Sequence, residues 1–328
     1  MNTDKSAAYC WQHWPQAWYV VARSDQLKSG QVQTGHLAGQ QWVLYRTQSG
    51  EVSAVSAFCP HMGAHLKSAR VAGDALQCGL HNCYISPQSE KLTVTSVCSM
   101  PSQAWPCAER FGLIWLYPPT SKPPPLPFAD IEDSCHWLGA GPQDIDADWC
   151  AMICNGFDLA HMRVVHQREV VGEPKFERLA DKGGLKMTYR TRILLRGGFS
   201  SWLTKKLCDG YLNLTHTCCG SSIMVQSQVG RFQSIGVFAL LPQDLPDMAS
   251  EKRRTRAFAA VGIPKRSRFV RSKLYLVRYL YLSFLKKDFS VVEGMRMQLD
   301  NIDDVGVQAV SAYQNTLSAI HSAGAENA

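Results

Sequence analysis

The residues best suited to hold a metal cluster form two short pairs, Cys59 with His61 and Cys78 with His81. The spacing is Cys-x-His, sixteen residues, then Cys-x-x-His, so each pair can occupy its own loop beside one small metal centre. Zinc would accept the same two thiolates and two imidazoles. Pro60 favours a tight loop over a helix, and zinc fingers usually pair cysteine with cysteine and histidine with histidine. The spacing therefore indicates a metal centre other than a zinc finger.

A second group of potential ligands follows in a segment of helical character. Asn155, Asp158 and His161 recur every three residues and are expected to share one helix face. His166 follows five residues after His161, about 140° away on an ideal helix. Both imidazoles can meet one metal only if the helix ends or bulges between them, and the β-branched pair Val164-Val165 is the expected weak point. Two histidines and a carboxylate with open positions suit non-haem Fe(II).

The first two pairs resemble the Rieske [2Fe–2S] motif, in which one iron takes two cysteines and the other takes two histidines. The resemblance implies one such cluster per subunit, bound by Cys59 and Cys78 on one iron and by His61 and His81 on the other. Neutral imidazoles in place of thiolates make the cluster less negative and raise its reduction potential.

The chain departs from that motif in its second loop. Asn82 and Cys83 follow the last histidine where glycine and tryptophan are usual, so we expect altered loop packing. We interpret Cys83 as a small buried hydrophobe and His65 as a hydrogen-bonded loop residue, neither of them a ligand. Respiratory Rieske proteins have a cysteine in each loop, joined by a disulfide, where this chain has Ala64 and Gly79. They also have a membrane anchor, which we do not expect here.

The second group resembles the catalytic motif of the Rieske non-haem iron oxygenases: Asn, Asp, His, and a further His five residues on. The resemblance implies that His161 and His166 bind one mononuclear Fe(II) per subunit. It implies two catalytic residues, Asn155 near that iron and Asp158. Asp158 would connect to a cluster-ligating histidine of a neighbouring subunit and carry electron transfer across the interface.

The third iron ligand should be a carboxylate well downstream. Members of that family usually supply it from an aspartate that begins an aliphatic helix. Asp288, followed by Ser-Val-Val-Glu after one phenylalanine, fits that pattern and is our prediction. Asp300, Asp303 and Asp304 remain the alternatives.

The elements that must position these residues divide at a proline-rich connector. Residues 118–127 contain six prolines in ten positions and predict a stiff, extended segment. We therefore predict a Rieske [2Fe–2S] domain at 15–118 and a catalytic domain with the mononuclear iron at 119–328. The fold class is predicted to be α+β, a small all-β domain followed by a larger mixed one. The resemblance implies that the second is a helix-grip domain with an antiparallel sheet, assembled as a head-to-tail homotrimer.

The pattern predicts further elements in the second part. Apolar and β-branched runs predict strands near 186–195, 222–229 and 231–241. Residues 146–164 and 267–323 predict helices, the latter with a break near Lys286. Within it, the apolar and basic segment 273–286 either packs in the core, lines a large apolar pocket or touches lipid.

Composition sets the outer bounds. The 328 residues are 45% hydrophobic and 19% charged, with a net charge of +7, which indicates a globular chain. No apolar run is long enough to span a membrane, and the N-terminal residues lack a secretion signal. We therefore expect a cytoplasmic protein, with peripheral membrane attachment as an alternative, and cysteines that serve metals before disulfides. The basic excess has no accompanying nucleic-acid-binding motif, so no nucleic-acid partner is expected.

The resemblance to the Rieske non-haem iron oxygenases implies a terminal oxygenase that uses O2 and external electrons to hydroxylate, demethylate or otherwise oxidise an organic substrate. The sequence lacks flavin, nicotinamide and plant-type ferredoxin motifs, so a ferredoxin and/or flavin reductase must deliver electrons from NAD(P)H. The chain length and the short Rieske domain resemble single-component-type monooxygenases more than two-subunit ring dioxygenases. The substrate is expected to be hydrophobic: sterol-like, polycyclic or a natural-product intermediate. The alternatives are a soluble Rieske electron carrier without oxygenase activity and a zinc-binding interaction protein.

Overall fold

The predicted α+β class is confirmed by the structure, a computed structural model. Short strands fill the first part of the chain, and a large antiparallel sheet with helices fills the second. No helix among the described residues is both long and apolar enough to cross a membrane. The structure describes residues 13–87, 98–179, 183–194, 210–229, 232–245, 247–299 and 302–320.

The described residues of the first part form three small sheets, ordered β1-β10-β9, β2-β3-β4 and β5-β6-β7-β8. Neighbouring strands are antiparallel except β7 and β8. A buried cluster that includes Tyr45, Leu66 and Ile85 also contains Cys59 and Cys78, so the two cysteine loops are anchored in a core. The strands are β1 (Tyr19–Arg23), β2 (Val32–Leu37), β3 (Gln40–Arg46), β4 (Val52–Ser56), β5 (Arg70–Ala72), β6 (Ala75–Gln77), β7 (Tyr84–Ser86), β8 (Ser99–Pro101), β9 (Cys107–Arg110) and β10 (Leu113–Leu116).

The second part is built on one seven-stranded antiparallel sheet, ordered β11-β17-β16-β15-β14-β13-β12. Its strands are β11 (Cys135–Ile145), β12 (Arg168–Leu179), β13 (Gly184–Ile193), β14 (Tyr211–Cys219), β15 (Ser222–Val229), β16 (Phe232–Pro242) and β17 (Thr255–Pro264). The helices are α1 (Ala129–Glu132), α2 (Trp149–Asn155), α3 (Leu159–Val164), α4 (Val270–Val292) and α5 (Val305–Gln314).

Helix α4 lies across the large sheet and contacts β11 and β17. Phe289, near its end, stacks on Phe238 of β16 with ring centroids 5.9 Å apart. The helix is continuous through Lys286 to Val292, so the predicted break there is wrong. Asp288, Phe289 and Val292 are buried beyond that point, and this packing extends the helix past the two exposed lysines.

The two parts of the chain share a core. Strand β1 contacts β11 and β16, and the indole rings of Trp14 and Trp149 meet edge to face at 6.0 Å. The proline-rich connector lies between β10 and α1. The division into 15–118 and 119–328 stays a prediction.

Candidate metal centres

The two cysteine–histidine loops have the same backbone geometry. In the first, the Cys59 N–H donates to the Ala64 carbonyl and the Gly63 N–H donates back to the Cys59 carbonyl, both at 2.8 Å. In the second, the Cys78 N–H donates to the Cys83 carbonyl at 2.8 Å, and the fourth residue after Cys78 donates back at 3.0 Å. Each loop is therefore a tight turn that begins at a buried cysteine.

The shared geometry explains the unusual asparagine in the second loop. Gly63 and Asn82 occupy equivalent positions and both have positive φ, 74° and 56°. Asparagine tolerates this left-handed conformation better than other non-glycine residues. Asn82 therefore preserves the turn.

The side chains of the four predicted ligands group by type. Cys59 and Cys78 are buried, whereas His61 and His81 are exposed, and the centroids of the two imidazole rings lie 5.0 Å apart. Burial raises the pKa of the Cys59 thiol, and the N–H groups of His61 and Met62, which point at its sulfur, oppose that rise. N–H groups aimed at sulfur stabilise a metal-bound thiolate. The donor set therefore fits a cluster with two buried thiolates and two outer imidazoles.

Cys83 is buried, as expected, but it forms a disulfide with Cys98. This corrects the interpretation of Cys83 as an unpaired hydrophobe and the expectation that cysteines would serve metals before disulfides. The pairing could not be foreseen, because Cys98 lies fifteen residues away with no motif around it. The Cys83 sulfur lies 3.6 Å from Nδ1 of His61. Because the Cys83 sulfur is bonded to Cys98, it is not a free thiolate that could bind a metal together with His61.

Removing this disulfide is expected to lower the free energy of unfolding. Closing a loop of fifteen residues restricts the unfolded chain by about 3 kcal/mol. Cys98→Ser should lose that amount in denaturant titrations. Wild-type protein treated with a thiol reductant should show the same loss, and the variant should not respond to the reductant. Equal stability of variant and wild type would contradict the crosslink.

His65 is a satisfied loop residue, as predicted. Its Nδ1 accepts a hydrogen bond from the Lys67 N–H at 3.0 Å, and its Nε2 lies 3.1 Å from Oε1 of Gln41.

The second centre is built around a short helix that ends between two histidines. Asp158 caps the start of α3, where its Oδ1 accepts the His161 N–H at 2.8 Å. The helix ends at Val164, as the β-branched pair predicted, and Gln167 has a positive φ of 55°. This change of direction places the His166 side chain next to the His161 side chain. Asn155 ends α2, so it does not share a helix face with Asp158 and His161 as expected.

Three donor atoms converge at this point. Oδ1 of Asp288 lies 2.8 Å from Nε2 of His161 and 2.6 Å from Nε2 of His166, and the two nitrogens are 3.1 Å apart. All three residues are buried. Ligands bound to one ion at about 2.1 Å and at right angles lie about 3 Å from each other, so the spacing suits one metal ion.

The electrostatics favour the metal-binding protonation states. Burial raises the pKa of Asp288, but the contacts with His161 and His166 outweigh it and hold the pKa below its ordinary value. Burial lowers the pKa of His166 despite the opposing carboxylate. A buried carboxylate and a neutral imidazole therefore face each other, which is the donor chemistry that a divalent cation requires.

A stacked aromatic ring fixes the second histidine. The His166 ring lies parallel to Phe284 of α4, with centroids 3.5 Å apart and planes 6° apart. The Arg168 guanidinium lies 5.1 Å from the Phe284 centroid. Phe284 precedes Asp288 by one helical turn, so α4 supplies both a ligand and the support for another ligand.

The alternative carboxylates differ in surroundings. Asp304 caps α5 through the N–H groups of Gly306 and Val307, at 2.8 and 3.1 Å. Its other oxygen accepts the N–H groups at the start of α3, at 3.0 and 3.3 Å. Asp303 is exposed, and Asp300 lies outside the described residues.

Replacing Asp304 is expected to destabilise the fold without emptying the metal site. It serves the N-termini of two helices, and each lost cap costs about 1 kcal/mol, so Asp304→Ala should lower the free energy of unfolding by about 2 kcal/mol. Chemical denaturation measures the loss, and elemental analysis of the folded variant should find its iron content unchanged. A normal stability with reduced iron would reverse the roles of Asp304 and Asp288.

An apolar cavity of about 180 Å³ reaches Asp288, the donor that lies against both histidines. Helix α4 faces it with residues spaced three or four apart, from Val277 to Asp288, so the predicted segment 273–286 lines a pocket. Asn155 reaches the cavity from α2. Met152, Gly156 and Met162 line it from the region of the two short helices. The rest of the wall comes from the large sheet: Arg168, Leu212, Leu214, His216, Ile223, Val225, Ser227, Ser234, Ile235, Gly236, Phe238 and Val261.

Sequence reasoning missed His216 in that wall. Its Nδ1–H donates to the Gly156 carbonyl at 2.7 Å, so its Nε2 accepts the Tyr189 hydroxyl at 3.2 Å. Burial lowers the pKa of His216 to about 4, and the ring is neutral at neutral pH. The sequence signal that would have revealed it is the alternation of Leu212, Leu214 and His216 in β14, which places the histidine on the same face as the two leucines.

The cysteine–histidine loops and the large antiparallel sheet both have counterparts in known proteins. Residues 17–97 match the family model of the Rieske [2Fe-2S] domain.

Curated relatives align with about half of this chain. A vanillate O-demethylase oxygenase subunit from a Pseudomonas species is 30% identical over 167 residues, covering 47% of this chain and 45% of the relative. A cholesterol 7-desaturase from Ciona intestinalis is 28% identical over 174 residues, covering 46% and 34%. The alignment thus spans less than half the length of either relative.

Solved structures extend the likeness to nearly the whole chain. Dicamba monooxygenase bound to dicamba superposes with a TM-score of 0.66 at 17% identity, covering 91% of this chain and 95% of that one. The oxygenase in the reduced complex with ferredoxin of carbazole 1,9a-dioxygenase gives 0.67 at 16%, covering 93% and 89%. At these identities the likeness establishes the fold.

Proposed function

We propose that this protein is a terminal oxygenase that oxidises a hydrophobic organic molecule with O2 and externally supplied electrons. The observation that carries the proposal is the convergence of His161, His166 and Asp288, together with the apolar cavity that Asp288 lines. A pure electron carrier needs neither the convergent donors nor the cavity.

The proposal assigns the ligands by position. Cys59 and Cys78 hold one iron of the cluster, and His61 and His81 hold the other. His161, His166 and Asp288 hold the mononuclear iron on one face, as in other two-histidine, one-carboxylate sites. When bound, the cluster supplies electrons and the mononuclear iron supplies the activation of O2.

The chain's own residues prepare this chemistry. Asp158 fixes the backbone of His161 through its cap, and Phe284 fixes the ring of His166 by stacking. The apolar wall orients the substrate and excludes water from the donor atoms. Asn155 lines the cavity near the donors, in keeping with its proposed place beside the iron.

The fold does not distinguish a monooxygenase from a dioxygenase, so the reaction type is part of the proposal. We favour a monooxygenase, either a hydroxylase or a demethylase, over a ring dioxygenase. The named relatives include an O-demethylase and a desaturase, and a cavity lined mostly by aliphatic and aromatic side chains suits a hydrophobic substrate.

We further propose that the partners are a ferredoxin and/or flavin reductase that draws electrons from NAD(P)H. The oxygenase of carbazole 1,9a-dioxygenase forms a complex with ferredoxin, and the net charge of +7 suits an acidic donor protein. A homotrimer and a cytoplasmic location remain part of the proposal, whereas membrane attachment has no supporting observation.

Metal analysis and turnover test the function together. An oxygenase should contain about three irons per chain and a carrier about two, whereas a zinc protein would be colourless. With a reductase system, sterols, aromatic acids and alkylated natural products should be screened for oxidised products. Two irons per chain after full reconstitution, with no product from any class, would favour the carrier.

A further inference from the structure

The apolar cavity that Asp288 lines extends along α4. Val277, Tyr281, Phe284 and Asp288 line it, each three or four residues after the last. Tyr281 and Asp288 are seven residues apart, so they face the same side of the helix with their backbones about 10 Å apart along its axis. A molecule oxidised beside Asp288 can therefore place its other end at Tyr281.

The hydroxyl of Tyr281 is buried and finds no hydrogen-bond partner among the described residues. Burial raises the pKa of this hydroxyl, so it remains protonated and able to donate. An unsatisfied buried hydroxyl lowers the stability of the fold by about 1–3 kcal/mol. This cost indicates that the hydroxyl serves a purpose other than stabilising the ligand-free protein. A partner supplied by a bound molecule would recover that cost.

The ring of Tyr281 occupies space left by a glycine. A Cβ at Gly236 would lie 2.5 Å from two ring carbons and 2.9 Å from the phenolic oxygen. Both residues line the cavity. The absent side chain of Gly236 therefore allows the tyrosine to lie against β16 at the cavity wall.

Two more hydroxyls belong to this region of the wall. Ser227 and Ser234 are a cross-strand pair of β15 and β16, with their oxygens 3.1 Å apart. Ser234 precedes Gly236 by two residues, so it lies on the same face of its strand. A serine hydroxyl that shares one hydrogen bond still has capacity for another. The far region of an otherwise apolar cavity thus offers hydroxyl groups.

The chemistry of this end favours a neutral oxygen over a carboxylate. Among the described residues that line the cavity, Arg168 is the cation, and it lies over Phe284, whose ring stacks on His166. Positive charge is therefore at the donor-atom end. An alcohol or ketone is the match for hydroxyl groups surrounded by apolar walls.

We propose that Tyr281 determines specificity by donating a hydrogen bond to a hydroxyl or carbonyl oxygen at one end of an elongated apolar substrate. The carbon to be oxidised lies at the opposite end, beside His161, His166 and Asp288. This inference deepens the proposed function and rests on it for the identity of the reacting end.

A matched pair of probes tests the hydrogen bond. Dissociation constants for 4-hydroxybiphenyl and biphenyl are measured with iron-loaded protein, without O2 or reductant. Wild type should bind the hydroxylated probe about tenfold more tightly. Tyr281→Phe should remove this preference and leave the affinity for biphenyl unchanged. Tyr279→Phe, on the exposed side of the same helix, is the matched control and should keep the preference.

Stability provides a second readout. Because Tyr281→Phe removes an oxygen without a described partner, the ligand-free variant should be at least as stable as wild type. A loss of stability greater than that of Tyr279→Phe would overturn the inference by revealing a structural role. A preference that survives in Tyr281→Phe, or is absent from wild type, would also overturn it. Ser234→Ala should reduce the preference by a smaller factor.

The binding assay separates this inference from the proposed function. A protein that shows the preference and never forms oxidised products keeps Tyr281 as a recognition residue and loses the oxygenase proposal. A protein that oxidises apolar molecules without the preference keeps the oxygenase proposal and loses this inference.

Discussion

Replacing Asp288 with alanine is expected to remove about one iron per chain and to abolish turnover. Asp288 supplies the carboxylate at the point where His161 and His166 meet, and one of its oxygens lies within 2.8 Å of both nitrogens. Without it, the buried site holds two imidazoles and no negative charge to compensate a divalent cation. Elemental analysis gives the iron content, and product formation gives the turnover.

The cluster provides the internal control for this variant. The cysteine–histidine loops belong to a separate buried cluster, so the visible spectrum of the Rieske centre should be unchanged in Asp288→Ala. Asp303→Ala, at an exposed position near the next helix, should retain both iron and turnover. Full iron content in Asp288→Ala would remove this residue from the ligand set and direct attention to Asp300.

The sequence alone predicted a helix end between His161 and His166, because their spacing is incompatible with a continuous helix if both bind one metal. Residues five apart cannot meet on an ideal helix, so a helix end was required between His161 and His166. Val164 ends α3 as that argument demanded. The same reasoning failed for Asn155, since the pattern of three-residue steps does not reveal that Asp158 is a cap between two short helices.

The choice among late aspartates required the structure. Asp288 lies within α4 and Asp304 caps α5, and a local pattern does not reveal which N–H groups or imidazoles a carboxylate will meet. Asp304 accepts N–H groups from residues 159 and 160, far from it in the chain. Contacts of that range depend on the packing of the whole second part.

Several strands escaped prediction for physical reasons. Strand β12 is largely exposed and lacks the alternation of buried and exposed residues that marks a half-buried strand. Strand β17 is buried along most of its length and rich in alanine, so it gives no alternation either. The contact between Tyr281 and Gly236 joins residues 45 positions apart and has no local signal in either segment.

Replacing Asp158 with asparagine is expected to leave both metal centres filled and to reduce turnover by about 100-fold. Asparagine is as good a helix N-cap as aspartate, so it can keep the bond to the His161 N–H that aspartate makes at 2.8 Å. The variant therefore removes the negative charge and retains the local fold. A loss of turnover with unchanged iron content and stability would assign the effect to that charge.

A second substitution separates the charge from the cap. Asp158→Ala loses both, and it should unfold about 1 kcal/mol more easily than Asp158→Asn with a similar fall in turnover. The oxidation of prereduced protein by O2 in the presence of substrate should slow equally in both variants, because the proposed connection between subunits needs the carboxylate itself. If prereduced Asp158→Asn is oxidised at the wild-type rate and only Asp158→Ala is impaired, the role of Asp158 is that of a helix cap. Electron transfer between the two centres must then pass through other residues.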